Sequence, residues 1–360
     1  MDQGLLTTLA ILLCFGLITL YAASYYNAQD RGSAFSEVLS QLQGVALGAA
    51  GLLFFSRADY RKLRSPWVVG IALGVTILLL ILVAIPGIGS RLNGSRRWLD
   101  LGFISFQPSE PAKYAAILFM ARALSDPHRD PTRLLRGVAP LMIVPGLMFF
   151  LILLQPNLST AGSIVIVSVI LVMLSGARWL HLGLLGLSGL CVGAFYAFSE
   201  PYRRERMFSF TNPFAYISDE GYQLSQSLIA FGSGGLFGMG LGQGRQKYAF
   251  LPYPESDFIF PIVGEDMGFI GCLVVVCLFG AFVFFGLRAA IRCPDRFGSL
   301  LAAGITCMIG TQAAMNMAVV TGLMPTTGLP LPFFSAGGTS VAVMMCAVGI
   351  VLRISRTART

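Results

Sequence analysis

Long apolar runs alternate with short polar segments along the chain. A helix needs about 17 to 25 apolar residues to cross a hydrocarbon layer ~30 Å thick. Runs of this kind predict transmembrane helices near residues 4–24, 39–56, 67–86, 108–124, 138–155, 159–176, 180–198, 260–287, 298–321 and 337–353. The pattern therefore predicts an all-α integral membrane protein of about ten transmembrane helices, forming a single polytopic membrane domain over residues 1–360.

The composition agrees with a membrane protein and leaves no room for a soluble domain. Hydrophobic residues make up 55% of the chain and charged residues only 12%, against roughly 25% charged in ordinary soluble domains. The seven cysteines lack metal-ligand spacing with His128 and His181, so no zinc site is predicted. The net charge of +8 falls largely on the inner face and requires no nucleic acid partner.

The positions of lysine and arginine predict the orientation in the membrane. With a cytoplasmic N-terminus, fifteen of these residues fall in inner segments and nine in outer segments, as expected from the bias towards cytoplasmic loops. An even number of spans returns the C-terminus to the cytoplasm. The extracytoplasmic loops then cover about residues 87–107 and 199–260, and the larger loop lies between the seventh and eighth helices.

The basic residues on the outer side are concentrated in these two loops. Arg96, Arg97 and Trp98 are adjacent in the first loop, and Arg203 and Arg206 lie in the second. Guanidinium groups match phosphate oxygens, and an indole ring is suited to the headgroup level. These segments predict a site for a substrate that carries a diphosphate at the membrane surface. A belt that binds ordinary anionic lipid is the alternative.

Two ionisable residues stand at the start of the fourth predicted helix. Glu110 and Lys113 are spaced i, i+3, so they share one face of the helix and can neutralise each other. Ionisable groups at membrane depth normally point into the bundle or into a wet cavity. Their position beneath Arg96, Arg97 and Trp98 predicts a role in the same site. The alternative is an ion pair that only fixes helix packing.

The second outer loop ends in Asp257, a carboxylate flanked by aromatic residues. An acid in such surroundings at the mouth of a membrane protein is more typical of chemistry than of solvation. A loop acid that caps the eighth helix is the alternative.

The glycine-rich run at 232–244 precedes this acid. It lacks the Gly-Lys-Ser/Thr ending of a P-loop and the βαβ context of a dinucleotide fold, so no nucleotide site is predicted. The glycines instead predict that the chain re-enters or turns tightly beside the membrane, where irregular backbone must line a cavity or be covered by protein.

Ordered motifs across nearly the whole chain carry a family resemblance. They are Arg96-Arg-Trp98, Gln107-Pro-Ser-Glu110 with Lys113, Gln155-Pro-Asn-Leu-Ser-Thr160, Tyr222-Gln-x-x-Gln-Ser227, the glycine run, Phe250-Leu-Pro252, Ser256-Asp-Phe-Ile-Phe260, Gly264-Glu-Asp-Met-Gly-Phe-Ile-Gly271 and the segment from Asn316 to Ser340. Together they resemble the SEDS family of bacterial peptidoglycan glycosyltransferases, which includes RodA, FtsW and SpoVE.

The resemblance implies polymerisation of lipid II on the outer face of the bacterial cytoplasmic membrane. Asp257 matches the essential acid of the family and is assigned as general base, a role that contributes roughly 10²–10⁴-fold to a rate. Undecaprenyl diphosphate would be the leaving group. The substrate-binding residues that we predict are Arg96, Arg97, Trp98, Gln107, Glu110, Lys113, Arg203, Arg206, Gln223, Gln226, Lys247 and Ser335.

Three motifs depart from the family pattern. Asn157 stands where the family usually has aspartate, Glu255-Ser256 replaces the usual His-Thr or Gln-Thr before the acid, and Ala336 and Thr339 replace Tyr and Ser. Any role that needs a charge at position 157 is therefore absent or altered. A second carboxylate at position 255 would either repel the charge on Asp257 or help to bind a cation.

The resemblance also implies partners. They are a class B penicillin-binding protein, which acts as transpeptidase, and other membrane proteins of the elongation or division machinery. A divalent cation, Mg²⁺ or Mn²⁺, would neutralise the diphosphate, but the sequence offers no ligand set for it. Two other functions remain open, namely a lipid II flippase or transporter and a non-catalytic scaffold of the elongation or division machinery.

Overall fold

A computed structural model describes residues 2–30, 36–92, 95–100, 105–199, 201–216, 221–248, 250–252 and 254–357. The α-helices of these residues are, in chain order, α1 (Gln3–Asp30), α2 (Ser36–Arg57), α3 (Pro66–Ala84), α4 (Ser109–Leu124), α5 (Ala139–Leu153), α6 (Leu158–Leu174), α7 (Trp179–Phe198), α8 (Pro201–Thr211), α9 (Tyr222–Gly234), α10 (Ile259–Arg292), α11 (Arg296–Val320) and α12 (Gly338–Thr357).

A helix occupies each of the ten predicted transmembrane positions, so the all-α membrane fold is confirmed. Within the described residues, eight helices are long and apolar enough to cross a membrane: α1, α2, α3, α5, α7, α10, α11 and α12. Helix α6 is apolar but has 17 residues, and α4 has 16. The chain is a multi-pass membrane protein, and the count of ten spans stays a prediction.

Helix α4 is less apolar than the others because protein surrounds it. It packs against α3, α5, α6 and α11, and ten of its 16 residues are buried. A helix that does not face lipid can carry Glu110 and Lys113 in place of an apolar surface. This explains why the fourth hydrophobic run is the one that holds two charges.

The centre of the bundle is α11, and its periphery includes α7. The most apolar window of α11 is 72% buried within the protein, whereas that of α7 is 6% buried. Helix α11 contacts α4, α6, α9, α10 and α12. Side chains on α11 therefore point at several other elements, which makes it the natural support for a site.

Helices α2 and α12 approach closely because glycines on α2 face α12. A Cβ atom at Gly44 would lie 2.2 Å from the carbonyl oxygen of Gly338, and one at Gly51 would lie 2.2 Å from Cys346 Sγ. Small residues at a membrane helix interface allow such contact, which gains dispersion energy without any polar group. The pair fixes the start of α12, next to the outer segments.

The segment 87–107, predicted to be extracytoplasmic, contains a small antiparallel sheet that the hydrophobic pattern did not predict. Its strands are β1 (Gly89–Leu92), β2 (Ser95–Asp100) and β3 (Ser105–Phe106), in the order β1-β2-β3. Ser90 pairs with Trp98 and Leu99 with Phe106. The sheet places Arg96, Arg97 and Trp98 on β2.

The segment 199–260, predicted only as an extracytoplasmic loop, contains two helices. It contains α8, a 3₁₀ turn at Pro213–Tyr216 and α9, followed by the glycine run. Helix α9 packs against α10. The run therefore begins at a helix that is already held against the bundle.

The glycine run is joined to α10 where that helix is broken. Gly268 has φ 70° and ψ −165°, which interrupts the helix. The N–H groups of Phe269 and Ile270 then donate to the carbonyl oxygens of Gly235 (2.9 Å) and Leu236 (3.2 Å). These are N–H groups that a helix start leaves without an intrahelical partner, and they need acceptors at membrane depth.

The same run also donates hydrogen bonds to the carbonyl oxygens that precede the break in α10. Met239 N donates to the carbonyl oxygen of Glu265 (2.9 Å), and Gly240 N donates to that of Asp266 (3.0 Å). The tight turns predicted for the run are confirmed, because φ is positive at Gly235, Gly238, Gly240 and Gly242.

Candidate active site

Asp257 lies in the turn directly before α10. Ser256 Oγ donates a hydrogen bond to Asp257 Oδ1 (3.1 Å). Ser335 Oγ in turn donates to the carbonyl oxygen of Ser256 (2.6 Å) and accepts from Leu331 N (2.8 Å). Ser335 is buried, so this predicted site residue holds the backbone beside the acid.

Arg97 is held by the backbone of the turn between α5 and α6. Its Nε donates to the carbonyl oxygen of Gln155 (3.0 Å), and its Nη2 donates to that of Pro156. The turn is fixed in its own right, because Gln155 Nε2 donates to the carbonyl oxygen of Leu80 on α3 (3.2 Å). Two donors of the guanidinium are thus used to direct the group.

Arg97 and Asp257 meet at Gly328. A Cβ atom at Gly328 would lie 2.9 Å from Asp257 Oδ2 and 3.9 Å from Arg97 Nη1. The glycine therefore leaves room between a carboxylate and a guanidinium that come from widely separated segments. An anionic group and a hydroxyl that gives up its proton both fit this pairing of charges.

Arg96 and Trp98 flank Arg97 on β2 and are half-buried. The pairing of β1 with β2 shifts register at this point, because Ser90 pairs with Trp98 and Arg91 pairs with Arg96, which leaves Arg97 as the extra residue of a bulge. The Trp98 carbonyl oxygen accepts from Ser90 Oγ (3.0 Å). Arg97 therefore stands at an irregularity of β2, between Arg96 and Trp98.

Glu110 and Lys113 form a buried ion pair. Hydrogen bonds connect this pair, through Gln312, to the segment that contains Gly328. Lys113 Nζ donates to Glu110 Oε1 (2.8 Å) and to Gln312 Oε1 (2.8 Å). Ser340 Oγ donates to Glu110 Oε2 (2.6 Å). Gln312 Nε2 donates to the carbonyl oxygen of Pro330 (3.0 Å). The network joins α4, α11 and α12, as expected if the ion pair fixes helix packing. Through Pro330 it also holds the segment beside the acid.

Lys247 lies at the break in α10 instead of at Gly328. It is 3% exposed, and its Nζ is 3.1 Å from Asp266 Oδ1. The same carboxylate accepts from the N–H groups of Gly242 (2.9 Å) and Gly244 (3.0 Å). Glu265 accepts from the N–H groups of Arg245 (2.7 Å) and Gln246 (3.2 Å), which follow the run directly. Lys247 is thus part of a clamp that holds the glycine run.

The other predicted residues are more scattered. Gln107 is half-buried just before α4, Gln226 is buried within α9, and Gln223 is half-buried on the same helix. Arg203 and Arg206 belong to α8, and their side chains lie outside the described part of the chain. The residues that the structure brings to one point are therefore Arg97, Asp257 and, behind them, Ser335.

Two residues of the site were not singled out from the sequence, namely Gly328 and Asn316. Asn316 Nδ2 donates to the carbonyl oxygens of Asp257 (2.8 Å) and Leu329 (2.7 Å). The sequence signal that could have identified Asn316 is an amide side chain within an apolar helix, because polar residues inside membrane spans are commonly functional. Among the described residues, no group of three or more His, Cys, Asp or Glu is placed to hold a metal ion.

Comparisons with known proteins identify the family of this chain. The cell cycle protein family of FtsW, RodA and SpoVE matches residues 3–360. Stage V sporulation protein E of Bacillus subtilis (strain 168) is 41% identical over 359 residues, covering 99% of this chain and 98% of that protein. A probable peptidoglycan glycosyltransferase FtsW of Geobacter sp. (strain M18) is 37% identical, covering 99% and 97%.

Solved structures show the same fold. One, described as the structural coordination of polymerization and crosslinking by a peptidoglycan synthase complex, contains a chain that matches with a TM-score of 0.83 and 28% identity, covering 100% of this chain and 98% of that one. The rod shape determining protein RodA of Thermus thermophilus matches with a TM-score of 0.72 and 26% identity, with the same coverage. The chain therefore belongs to the FtsW/RodA/SpoVE family.

Proposed function

We propose that this protein is a peptidoglycan glycosyltransferase that polymerises lipid II into glycan strands. The observation that carries the proposal is the approach of Asp257 Oδ2 and Arg97 Nη1 to one point at Gly328. The names of the relatives, which include probable peptidoglycan glycosyltransferases, support the same activity.

The proposed reaction uses Asp257 as general base. The carboxylate takes the proton from the 4-hydroxyl of the acceptor sugar while that oxygen bonds to the anomeric carbon of the donor. The bond from the anomeric carbon to the diphosphate breaks, and undecaprenyl diphosphate leaves with the bonding electron pair. A positioned base contributes roughly 10²–10⁴-fold to such a step. A fixed guanidinium stabilises the negative charge that develops on the leaving group.

The predicted residues divide into two proposed roles. Arg97, Arg96, Arg203 and Arg206 would bind the diphosphate, with Trp98, Gln107, Gln223 and Gln226 along the sugar or headgroup part of the substrate. Glu110, Lys113 and Ser335 would support the backbone around the site, and Lys247 would hold the glycine run at the break in α10, because each is buried and engaged with other protein groups.

We further propose an arrangement in the bacterial inner membrane with both termini in the cytoplasm and a single polytopic domain. The segments 87–107 and 199–260 would then face outward, where lipid II is polymerised. A class B penicillin-binding protein is the proposed partner, with other membrane proteins of elongation or division. The match to a chain of a peptidoglycan synthase complex supports such a partnership.

The test is glycan polymerisation from labelled lipid II by the purified protein. It is assayed alone and with a cognate penicillin-binding protein whose own chemistry has been inactivated. We expect polymer from the wild type and none from Asp257→Ala, because the variant lacks the base while Arg97 and its anchoring turn are unchanged.

Folding and lipid II binding of the variant serve as controls. Equal polymer from wild type and Asp257→Ala would remove Asp257 from catalysis. Absence of polymer from the wild type, even with the partner and Mg²⁺ or Mn²⁺ present, would contradict the enzyme and favour a transporter or a scaffold.

A further inference from the structure

The amide of Asn316 joins the two segments that meet at the proposed site. It stands on α11, is 1% exposed, and lies one helical turn beyond Gln312. Gln312 also donates to this part of the chain, at the carbonyl oxygen of Pro330 (3.0 Å). Asn316 differs because its Nδ2 donates to two carbonyl oxygens at once, those of Asp257 (2.8 Å) and Leu329 (2.7 Å).

The carbonyl of Asp257 needs this donor because the helix cannot provide one. In a regular helix, the carbonyl oxygen of residue i accepts from the N–H group of residue i+4. The residue four positions after Asp257 is Pro261, which has no N–H group. Helix α10 consequently begins at Ile259, and the backbone at Asp257 is held from outside the helix.

The second bond of the amide fixes the opposite wall of the site. Leu329 follows Gly328, and a Cβ atom at Gly328 would lie within 4 Å of both Asp257 Oδ2 and Arg97 Nη1. Since one nitrogen holds both Asp257 and Leu329, the distance between the carboxylate and the Gly328 backbone depends on Asn316. A shift of about 1 Å in such a distance can cost about 10²-fold in rate.

We infer that Asn316 is a positioning residue that sets the Asp257 carboxylate against Gly328 and Arg97 through the two backbone carbonyls. The inference rests on the proposed function, in which Asp257 is the general base. In this role Asn316 acts through the backbone of Asp257 and Leu329, so its effect falls on the rate of the chemical step and leaves the binding of lipid II unchanged.

The first test is Asn316→Leu, which keeps the approximate volume and removes both donors. We expect kcat for lipid II polymerisation to fall by about 10²-fold, while KM changes by less than about threefold. Met308→Ala is the matched control, because Met308 is fully buried on the same helix and its truncation lowers stability without touching the acid. It should keep the wild-type kcat at a temperature where both variants are folded.

Gly328→Ala tests the same geometry without a change in α11. The new methyl group would lie 2.9 Å from Asp257 Oδ2, the far end of a side chain that can turn away. We expect a folded protein in which the carboxylate is displaced and kcat falls by at least about tenfold. This variant decides the matter if Asn316→Leu does not fold.

The outcomes separate the two proposals. Wild-type kcat in folded Asn316→Leu or Gly328→Ala, with Asp257→Ala inactive, would overturn the positioning role and leave the general base in place. A similar loss in Met308→Ala would overturn it too, since the loss would then follow stability. Full activity of Asp257→Ala, or no activity of the wild type, would overturn the proposed function and this inference with it.

Discussion

Replacing Lys113 by methionine is expected to lower the free energy of unfolding by about 3–5 kcal/mol. The substitution leaves Glu110, which is 3% exposed, as a buried carboxylate without its cation. It also leaves Gln312 Oε1 without the donor that it has in the wild type. A buried charge that loses its counterion cannot be rehydrated cheaply, so the cost exceeds that of a lost surface contact.

Two control variants sharpen this prediction. Arg133→Met breaks an ion pair with Asp130 whose side chains are 67% and 50% exposed, and it should change stability by no more than about 1 kcal/mol. Glu110→Gln combined with Lys113→Met removes both charges and should recover part of the loss. Denaturant unfolding in detergent measures all three. The prediction is wrong if Lys113→Met is as stable as Arg133→Met.

Replacing Gly268 by alanine is the second change with a large expected effect. Its φ of 70° and ψ of −165° lie in a region used almost only by glycine, at a strain of about 1–3 kcal/mol for other residues. A Cβ atom would also lie 2.4 Å from Gly238 N and 2.5 Å from the carbonyl carbon of Leu236. Both contacts are backbone, so the glycine run would have to move.

We therefore expect Gly268→Ala to destabilise the protein by more than about 3 kcal/mol, because strain is added to the loss of the hydrogen bonds that close the helix break. Gly280→Ala on the same helix is the control, since a Cβ atom there meets nothing within 4 Å. It should be neutral or stabilising by up to about 1 kcal/mol. Thermal unfolding compares the two, and equal midpoints would contradict the prediction.

The sequence predicted the helices well because each apolar run carries its own signal. All ten helical positions were found, and the apolar part of α1, Gln3–Ser24, matches the span predicted near residues 4–24, although the helix itself continues to Asp30. The sheet at β1–β3 was missed, although Asn93-Gly94 between the first two strands is a strong hairpin signal. The two helices of the 199–260 segment were missed as well, because short polar helices lack the long apolar pattern.

The site was predicted only in part because its geometry depends on contacts between distant segments. Asp257 and Arg97 carry recognisable chemistry, so motif and residue type identified both. Asn316 lies 59 residues from Asp257 along the chain, and no local pattern indicates which carbonyl a buried amide will meet. Lys247 was grouped with the substrate-binding residues because its sequence position did not reveal its ion pair with Asp266.

The departure at Asn157 is explained by the same structure. Asn157 Oδ1 accepts from Thr160 N (3.2 Å) at the start of α6. Asparagine and aspartate are about equally good at this capping position, so the helix start does not require the charge that the family usually has there.

The way in which Arg97 is anchored bears on how this site can diverge among relatives. Its guanidinium is directed by main-chain oxygens at Gln155 and Pro156, and every amino acid provides such an oxygen. Substitutions in the side chains of that turn therefore leave the orientation of the arginine unchanged, provided that the backbone conformation of the turn is preserved. Divergent sequences can thus inherit one orientation of the cation, and selection acts at that turn on shape more than on side-chain chemistry.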